Sequence, residues 1–341
     1  MYDGGLNRSG GFVHAIGGGG EYPMRIALLS LALALLATAT AAEPNTLAQV
    51  VFSRDGNIVV LDMRHGMERA LTTDGAPPGP GAKTYGCPVF VDRDIALFLS
   101  WEYDDHGDVS ACRLHAGVAS DEPQVATWED LIQPLGLGAL PHDQIAFLEL
   151  DGDEEREDPF GAELHVSIIN AEGHVLPTDI ATWYGDINLD RARLRVATEG
   201  DLLTLPRFPT DVSSWYRLWD LVEDAEIELI PEDLLGGVLV TGVDLTEFGV
   251  YGTLLALGEA AGMESGIYWL DLADQQHELL AAIPNAAGLS IDEDEGIAVV
   301  GTTDGKLHVV DLESGIVTYL TDGADPDMLP AAEPEPAADE G

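Results

Sequence analysis

The chain has 341 residues, and its 15 Lys and Arg residues stand against 61 Asp and Glu residues, which gives a formal net charge of −46. Lysine occurs only at Lys83 and Lys306, so the basic patch that nucleic acid or an anionic membrane requires is missing, and neither is expected as a partner. The charge fits either adaptation to high salt or cation binding, and its spread over most of the chain favours the first.

The N-terminal region predicts export. Residues 1–23 are Gly-rich, Met24-Arg25 then precedes an apolar stretch at 26–37, and Ala39-Thr40-Ala41 follows. A positive charge, a short apolar core and an Ala-x-Ala site are typical of a secretory signal peptide. We therefore predict that 1–23 is an extension upstream of the true start, that 24–41 is the signal peptide, and that the mature protein is periplasmic or secreted. The apolar stretch is too short for a transmembrane helix, which needs about 20 residues.

A short phrase recurs along the rest of the chain and indicates a repeat. Its clear copies are Val60-Leu61-Asp62-Met63, Leu218-Trp219-Asp220-Leu221, Trp269-Leu270-Asp271-Leu272 and Val309-Val310-Asp311-Leu312. With weaker copies at 111–114 and 167–170, the anchor positions are 62, 113, 169, 220, 271 and 311, separated by 51, 56, 51, 51 and 40 residues. A period near 50 fits a four-stranded antiparallel propeller blade. We predict an all-β, six-bladed β-propeller, with about five to seven blades compatible with the pattern.

The two ends of the repeat region predict how the ring closes. The last unit shows four strand-like runs, near 287–291, 297–302, 306–312 and 316–320, whereas the first unit shows only three, near 49–53, 57–63 and 69–72. A segment after Thr321 should supply the missing strand, and the candidate at 324–330 contains Pro326 and Pro330, which weaken a strand. We place the propeller at 42–323 and an acidic, Pro-rich tail at 324–341, disordered beyond any closing strand.

These runs resemble a known repeat. Ser53-Arg54-Asp55-Gly56-Asn57, the apolar run to Asp62 and the closing Leu71-Thr72 are similar to the TolB-type, WD40-like propeller repeat, and the last unit matches through Val310 to Gly315 and Tyr319 to Thr321. The resemblance spans 47–322 and is poor in the middle units. It implies a propeller that serves as a scaffold for protein contacts, and some relatives are enzymes, so it implies fold more than activity.

The two cysteines are predicted to be thiols. Export permits a disulfide between Cys87 and Cys112, but the blade pattern places them on the first and third strands of one unit. Strands two apart are about 9.6 Å from each other, beyond the usual disulfide reach of about 7 Å.

The long loops are the predicted working surface. In a propeller, the loops between second and third strands share one face with the connections between blades, and here they are the long insertions at 101–108, 150–162, 199–214 and 258–266. Two of them carry carboxylates that can bind a hard cation such as Ca²⁺. The candidate ligands are Asp104, Asp105 and Asp108 in one loop and Asp151, Asp153 and Glu155 in another. A solvated acidic loop is the alternative that the composition favours.

Catalytic signatures are missing from the sequence: there is no His-Glu-x-x-His, Cys-x-x-Cys, Gly-x-Ser-x-Gly or phosphate-binding loop. We therefore predict an exported, monomeric, non-catalytic module that needs no cofactor and binds another protein or an extracellular polymer. The alternative is a calcium-dependent propeller hydrolase, lactonase-like or phosphatase-like. That alternative requires carboxylates from several blades to converge, whereas each cluster here lies within one loop.

Overall fold

The structure is a computed structural model of the chain. It describes residues 49–92, 95–118, 124–128, 134–140, 144–151, 163–169, 175–177, 195–196, 202–206, 216–220, 225–227, 229, 237–246, 249–256, 263–272, 274 and 276–329. The expected upstream extension and signal peptide lie outside these residues and stay predictions. No helix long and apolar enough to cross a membrane occurs in the described ranges.

The described residues fold into β-strands. In chain order they are β1 (Gln49–Arg54), β2 (Asn57–Asp62), β3 (Met67–Ala70), β4 (Lys83–Asp92), β5 (Ile95–Tyr103), β6 (Val109–Val118), β7 (Gln124–Trp128), β8 (Pro134–Leu140), β9 (Gln144–Asp151), β10 (Glu163–Ile169), β11 (Val175–Pro177), β12 (Arg195–Val196), β13 (Leu202–Pro206), β14 (Tyr216–Asp220), β15 (Ala225–Ile227), β16 (Val238–Leu245), β17 (Val250–Ala256), β18 (Gly266–Asp271), β19 (Gln276–Ala282), β20 (Ala286–Asp292), β21 (Ile297–Thr302), β22 (Lys306–Asp311), β23 (Val317–Asp322) and β24 (Ala324–Leu329).

These strands pair into four-stranded antiparallel sheets, which confirms the all-β, propeller-like prediction at that level. The sheets that the described strands form have the orders β24-β1-β2-β3, β4-β5-β6-β7, β8-β9-β10-β11, β12-β13-β14-β15, β16-β17-β18-β19 and β20-β21-β22-β23. Neighbours within a sheet are consecutive in the chain except where β24 joins β1. We call β24, β4, β8, β12, β16 and β20 the first strands of their sheets.

The repeated phrase of the sequence marks the third strand of each sheet. Anchor positions 62, 169, 220, 271 and 311 are the last residues of β2, β10, β14, β18 and β22, and position 113 lies within β6. The aspartates at three of these ends accept a backbone N–H three residues later: Asp62 from His65 at 3.1 Å, Asp271 from Asp274 at 3.0 Å and Asp311 from Ser314 at 2.7 Å. The aspartate therefore recurs because its carboxylate stabilises the turn into the fourth strand.

The turn between β1 and β2 shows why Gly is needed at one position. Asp55 and Gly56 both have left-handed backbone angles, with φ of 51° and 75°, as tight hairpin turns require. A Cβ on Gly56 would also lie 2.1 Å from the carbonyl oxygen of Ala76. The Asp-Gly pair therefore sets this hairpin and lets the 71–82 connection pack against it.

Strand β24 confirms the candidate strand that the sequence suggested at 324–330, and it assigns these residues to a sheet and not to the tail. It pairs antiparallel with β1, with Gln49 opposite Leu329 and Val50 opposite Met328. Pro326 is tolerated because it lies where the register with β1 shifts, so no regular ladder bond is lost there. Residues 330–341 lie outside the described part of the chain.

Buried polar groups join the first strands of neighbouring sheets. In each of three successive junctions, a side chain of one first strand accepts a backbone N–H of the next first strand. The bonds are Ile291 N–H to Asp244 Oδ2 at 2.7 Å, Met328 N–H to Ser290 Oγ at 2.9 Å, and Phe90 N–H to Asp327 Oδ2 at 2.7 Å. The same kind of contact therefore recurs from sheet to sheet, as in a ring of repeated units.

The apolar cores lie between sheets. Phe52 of β1 packs in one buried cluster with Val299 of β21 and Leu307 of β22, and Val51 of β1 packs in another with Phe98 of β5. A fully buried side chain of this size contributes about 1.5–3 kcal/mol. Neighbouring sheets therefore pack against both faces of the β24-containing sheet. Because β24 pairs with β1, this sheet also joins the two ends of the described chain.

Cys87 and Cys112 lie as predicted, on the first and third strands of one sheet, β4 and β6, with β5 between them. No disulfide joins them, which confirms the thiol prediction, and both are buried in the same cluster as Trp101. Burial raises the pKa of the Cys112 thiol to about 12, so this thiol is not reactive at neutral pH.

Candidate functional site

The predicted long loops do connect the second strand to the third in their sheets. They fall between β5 and β6, β9 and β10, β13 and β14, and β17 and β18. The first of these loops packs against the 71–82 connection between sheets, because Gly81 N–H donates to the Asp104 carbonyl at 2.9 Å and Tyr103 N–H to the Ala82 carbonyl at 2.9 Å. We call the end of the molecule formed by second-to-third-strand loops and connections between sheets the loop face.

Of the two acidic clusters predicted as metal ligands, the structure describes the first one in full. The Oδ1 of Asp104 accepts the backbone N–H of His106 at 2.8 Å and of Asp108 at 3.0 Å, so it stabilises its own turn. Asp105 is exposed in that turn. Across the described residues, no three His, Cys, Asp or Glu side chains are arranged to hold a metal ion.

The second acidic cluster lies largely beyond the described residues. Asp151 is the last residue of β9, and only its backbone is described, while Asp153 and Glu155 lie outside the described residues. The calcium prediction for this cluster therefore remains a prediction.

A cavity of about 490 Å³ opens among the sheets at the loop face. It is bounded by first strands, by the β1–β2 and β21–β22 turns, and by the connections that enter β4 and β24. Its lining includes Ser53, Arg54, Asp55, Gly56, Pro78, Thr84, Tyr85, Gly86, Cys87, Trp101, Thr241, Ala287, Gly288, Thr302, Thr303, Gly305, Asp322, Gly323, Ala324 and Asp325. This volume is in the usual range of ligand-binding cavities, about 300–1,000 Å³.

Irregular backbone surrounds the cavity. Four first strands shift register with their neighbours beside the cavity, at Cys87 in β4, Thr241 in β16, Gly288 in β20 and Asp325 in β24. Cys87 and Asp325 have left-handed φ angles of 50° and 51°. Bulges of this kind redirect side chains and are frequent beside functional sites. Here they recur at the same place in several sheets, next to the cavity.

Asp74 and Lys83 form a charged pair beside Tyr85, an aromatic residue of the cavity lining. The Tyr85 hydroxyl donates to Asp74 Oδ1 at 2.9 Å, and Lys83 Nζ lies 3.1 Å from Asp74 Oδ2 and 4.5 Å from the Tyr85 ring centroid. Burial raises the pKa of Asp74, but the hydrogen bonds from Tyr85 and Lys83 outweigh it and lower the pKa overall. Lys83 is thus held by a carboxylate and an aromatic face.

A buried histidine stands behind Tyr85. His115 is 3% exposed, its Nε2 lies 2.8 Å from Ser100 Oγ, and its ring stacks on Phe98 at 5.3 Å between centroids. Burial, followed by repulsion from Lys83 and Arg113, lowers the pKa of His115 to about 4. The residue is neutral at physiological pH and packs as part of the wall.

The sequence predicted that the loop face carries the site, but it did not predict which residues line the cavity. The loop face follows from the repeat, whereas Asp55, Thr241, Asp322 and Asp325 come from units far apart in the chain. The Asp-Gly signature at 55–56 indicated only a turn, and 325 lay in the candidate strand at 324–330 with no predicted role in a site. A search based on spacing finds no such set, because the packing of several sheets and not the local sequence brings the residues together.

Comparisons with known proteins give similar structures without a family. No family model and no curated protein matches the chain. A manganese complex of oligogalacturonate lyase is 15% identical with a TM-score of 0.44, over 78% of this chain and 70% of that one. A DUF4784 family protein from Bacteroides caccae is 10% identical with a TM-score of 0.42, over 83% and 74%.

The tricorn protease is 11% identical with a TM-score of 0.38, and the match covers 83% of this chain but 34% of the protease. At these identities and TM-scores none of the similarities assigns an activity to the chain.

Proposed function

We propose that this chain is an exported, non-catalytic, TolB-type six-bladed propeller that binds another protein or an extracellular polymer through its loop face. The observation that carries the proposal is the cavity at that face, which is lined by residues of four sheets. Binding residues are commonly placed on loops and strand ends over a rigid scaffold.

Contacts between first strands support the ring. β16 contacts β20, β20 contacts β24, β24 contacts β4, β4 contacts β8, β8 contacts β12, and β12 contacts β16. This order is cyclic, and the last strand of the chain completes the first sheet by pairing with β1. A propeller that joins its two chain ends in one blade removes the open edge between first and last units.

Two titratable groups packed behind the cavity wall favour binding over catalysis. His115 contacts Tyr85, and Cys112 lies opposite Trp101 in the sheet, but neither of them lines the cavity. Burial lowers the pKa of His115 and raises the pKa of Cys112, whereas catalytic acids and bases usually have pKa values tuned toward the working pH. The signal peptide predicted at 24–41 and the resemblance to TolB-type repeats support the proposal that the module works in the periplasm or outside the cell.

Two matched tryptophan variants test the proposed surface. Thr303 is an exposed cavity residue in the β21–β22 turn, and Glu313 is an exposed residue in the β22–β23 turn at the opposite end of the same sheet. In affinity capture from the native exported fraction, we expect Thr303→Trp to reduce partner recovery by at least about tenfold. Glu313→Trp should capture as the wild type does, and equal capture by both variants would contradict the proposal.

A further inference from the structure

Three polar side chains join the first and last sheets of the chain at their outer rim. Arg54 ends β1, Glu68 lies in β3, and Thr321 lies in β23. Strands β1 and β3 belong to the sheet that joins the chain ends, whereas β23 is the fourth strand of the neighbouring sheet. Glu68 and Thr321 meet although they are 253 positions apart in the chain. We call Arg54, Glu68 and Thr321 the outer clasp.

The hydrogen bonds of the outer clasp form a closed triangle. Arg54 Nη2 donates to Glu68 Oε2 at 2.6 Å, and Arg54 Nη1 donates to Glu68 Oε1 at 3.0 Å. Arg54 Nη1 also donates to Thr321 Oγ1 at 3.3 Å, and the Thr321 hydroxyl donates to Glu68 Oε1 at 2.8 Å. A hydroxyl donates one proton and accepts on its lone pairs, so Thr321 contacts both members of the ion pair from the neighbouring sheet.

The arginine of the clasp is also held against an aromatic ring. The guanidinium carbon of Arg54 lies 5.5 Å from the centroid of the Phe52 ring, and Phe52 packs in a buried cluster with Val299 and Leu307 of the last sheet. The hydrogen bond between the two groups raises the pKa of Arg54 and lowers the pKa of Glu68. Isolated surface ion pairs contribute little, but two-point Arg–carboxylate contacts within a network are the exception.

The outer clasp lies outside two buried contacts between the same sheets. Nearest the centre, Met328 N–H donates to Ser290 Oγ at 2.9 Å, and the Phe52 cluster follows. The side chains of Arg54 and Glu68 are 30% and 33% exposed. Dissolved ions screen charges that solvent reaches and have little effect on buried contacts, so salt weakens the clasp much more than the other two contacts.

Salt acts on the clasp and on the whole molecule with opposite signs. The net charge of −46 destabilises the compact chain through self-repulsion, and salt screens this repulsion. The clasp is an attraction, which the same screening weakens. Strand β3 pairs only with β2 within its sheet, and Glu68 is its link to β1 and to the last sheet. Loss of the clasp therefore affects β3 first.

We infer that the outer clasp is a salt-sensitive latch, which holds β3 and Arg54 to the last sheet at low salt and releases them at high salt. The rest of the molecule becomes more stable over the same change in salt. Because Arg54 lines the cavity, the latch also fixes one part of the cavity wall, whatever the cavity binds.

Native-state hydrogen exchange of backbone amides, followed by NMR on the full chain, tests the latch. Raising NaCl from about 0.05 M to about 1 M should speed exchange in β3 of the wild type at least about fivefold, while exchange in the second strand β21 slows. Glu68→Gln keeps the side-chain shape and removes the ion pair. In β3 we expect this variant to exchange at least about fivefold faster than the wild type at low salt, and within about twofold of it at high salt.

Two further variants separate the contact between sheets from charge alone. Thr321→Val removes the hydroxyl that links the sheets and leaves the ion pair, and it should speed exchange in β3 at least about threefold at low salt. Asp304→Asn is the matched control, because it removes the same charge from an ion pair with Lys306 that lies within one hairpin of the last sheet. It should leave exchange in β3 within about twofold of the wild type.

Four results would overturn the inference: exchange in β3 that slows with salt in parallel with β21, equal exchange in β3 of the wild type and Glu68→Gln at low salt, no effect of Thr321→Val, or equal acceleration by Asp304→Asn. None of them bears on partner capture, which Thr303→Trp tests separately. The latch and the proposed binding face can therefore fail independently of each other.

Discussion

Protonation of His115 makes the free energy of unfolding depend on pH. Its pKa is lowered to about 4 in the folded protein, first by burial, whereas an unfolded histidine titrates near about 6.5. Between these values the unfolded state binds the extra proton, so the unfolding free energy falls as pH falls. From pH 7 to pH 5 we expect the wild type to lose about 2 kcal/mol more than His115→Gln in urea unfolding.

An exposed histidine provides the control for that measurement. His106→Gln removes an exposed imidazole in the β5–β6 turn, so comparing it with His115→Gln isolates the effect of the buried ring. Parallel pH profiles for wild type and His115→Gln would show that His115 is not held neutral by the fold.

The carboxylates that accept hydrogen bonds between first strands should also have a measurable effect on the free energy of unfolding. Asp327→Ala would leave the buried N–H of Phe90 without its acceptor, which costs about 1–3 kcal/mol. Asp294→Ala in the exposed β20–β21 turn should change the unfolding free energy by less than about 0.5 kcal/mol. Urea unfolding distinguishes the two, and an equal effect would mean that the contact between sheets contributes nothing.

Strand β24 is the element on which the architecture depends most. A chain ending at Gly323 lacks this strand and exposes the edge of β1 together with Phe52, which packs in one buried cluster with Met328 of β24. We expect this chain to lose cooperative thermal unfolding and to aggregate, because open edges pair with other chains. A chain ending at Leu329 should unfold as the full chain does, and cooperative unfolding of the shorter chain at the same temperature would refute the role of β24.

The sequence predicted elements well where local chemistry decides them. Asp-Gly and Ser-Gly turns and the Asp that ends β22 predicted β20 to β23 within a residue or two, because those signals act over three or four residues. The candidate strand at 324–330 was confirmed as β24 although Pro326 argues against a strand, and only the pairing with β1 shows that the bulge accommodates the proline. The cavity residues come from four sheets, and no local sequence pattern encodes how those sheets meet.

At the scale of the whole molecule, the net charge of −46 predicts how stability responds to salt. Self-repulsion destabilises a compact state and is screened as the Debye length falls from about 30 Å at 0.01 M to about 3 Å at 1 M salt. We expect the melting temperature to rise steeply with NaCl and equally with KCl after chelation. A melting temperature indifferent to NaCl but raised by micromolar Ca²⁺ would instead indicate a formed metal site.

The loop face, with its cavity, is the surface through which we propose that this propeller-like protein binds its partner. Hydrogen exchange measured by mass spectrometry, on the full chain alone and saturated with its captured partner, tests this proposal. We predict that the partner slows exchange at 53–56, 84–87, 302–305 and 322–325, which line the cavity. Slowed exchange confined to the outer strands β3, β19 and β23, with none at these four segments, would contradict the claim.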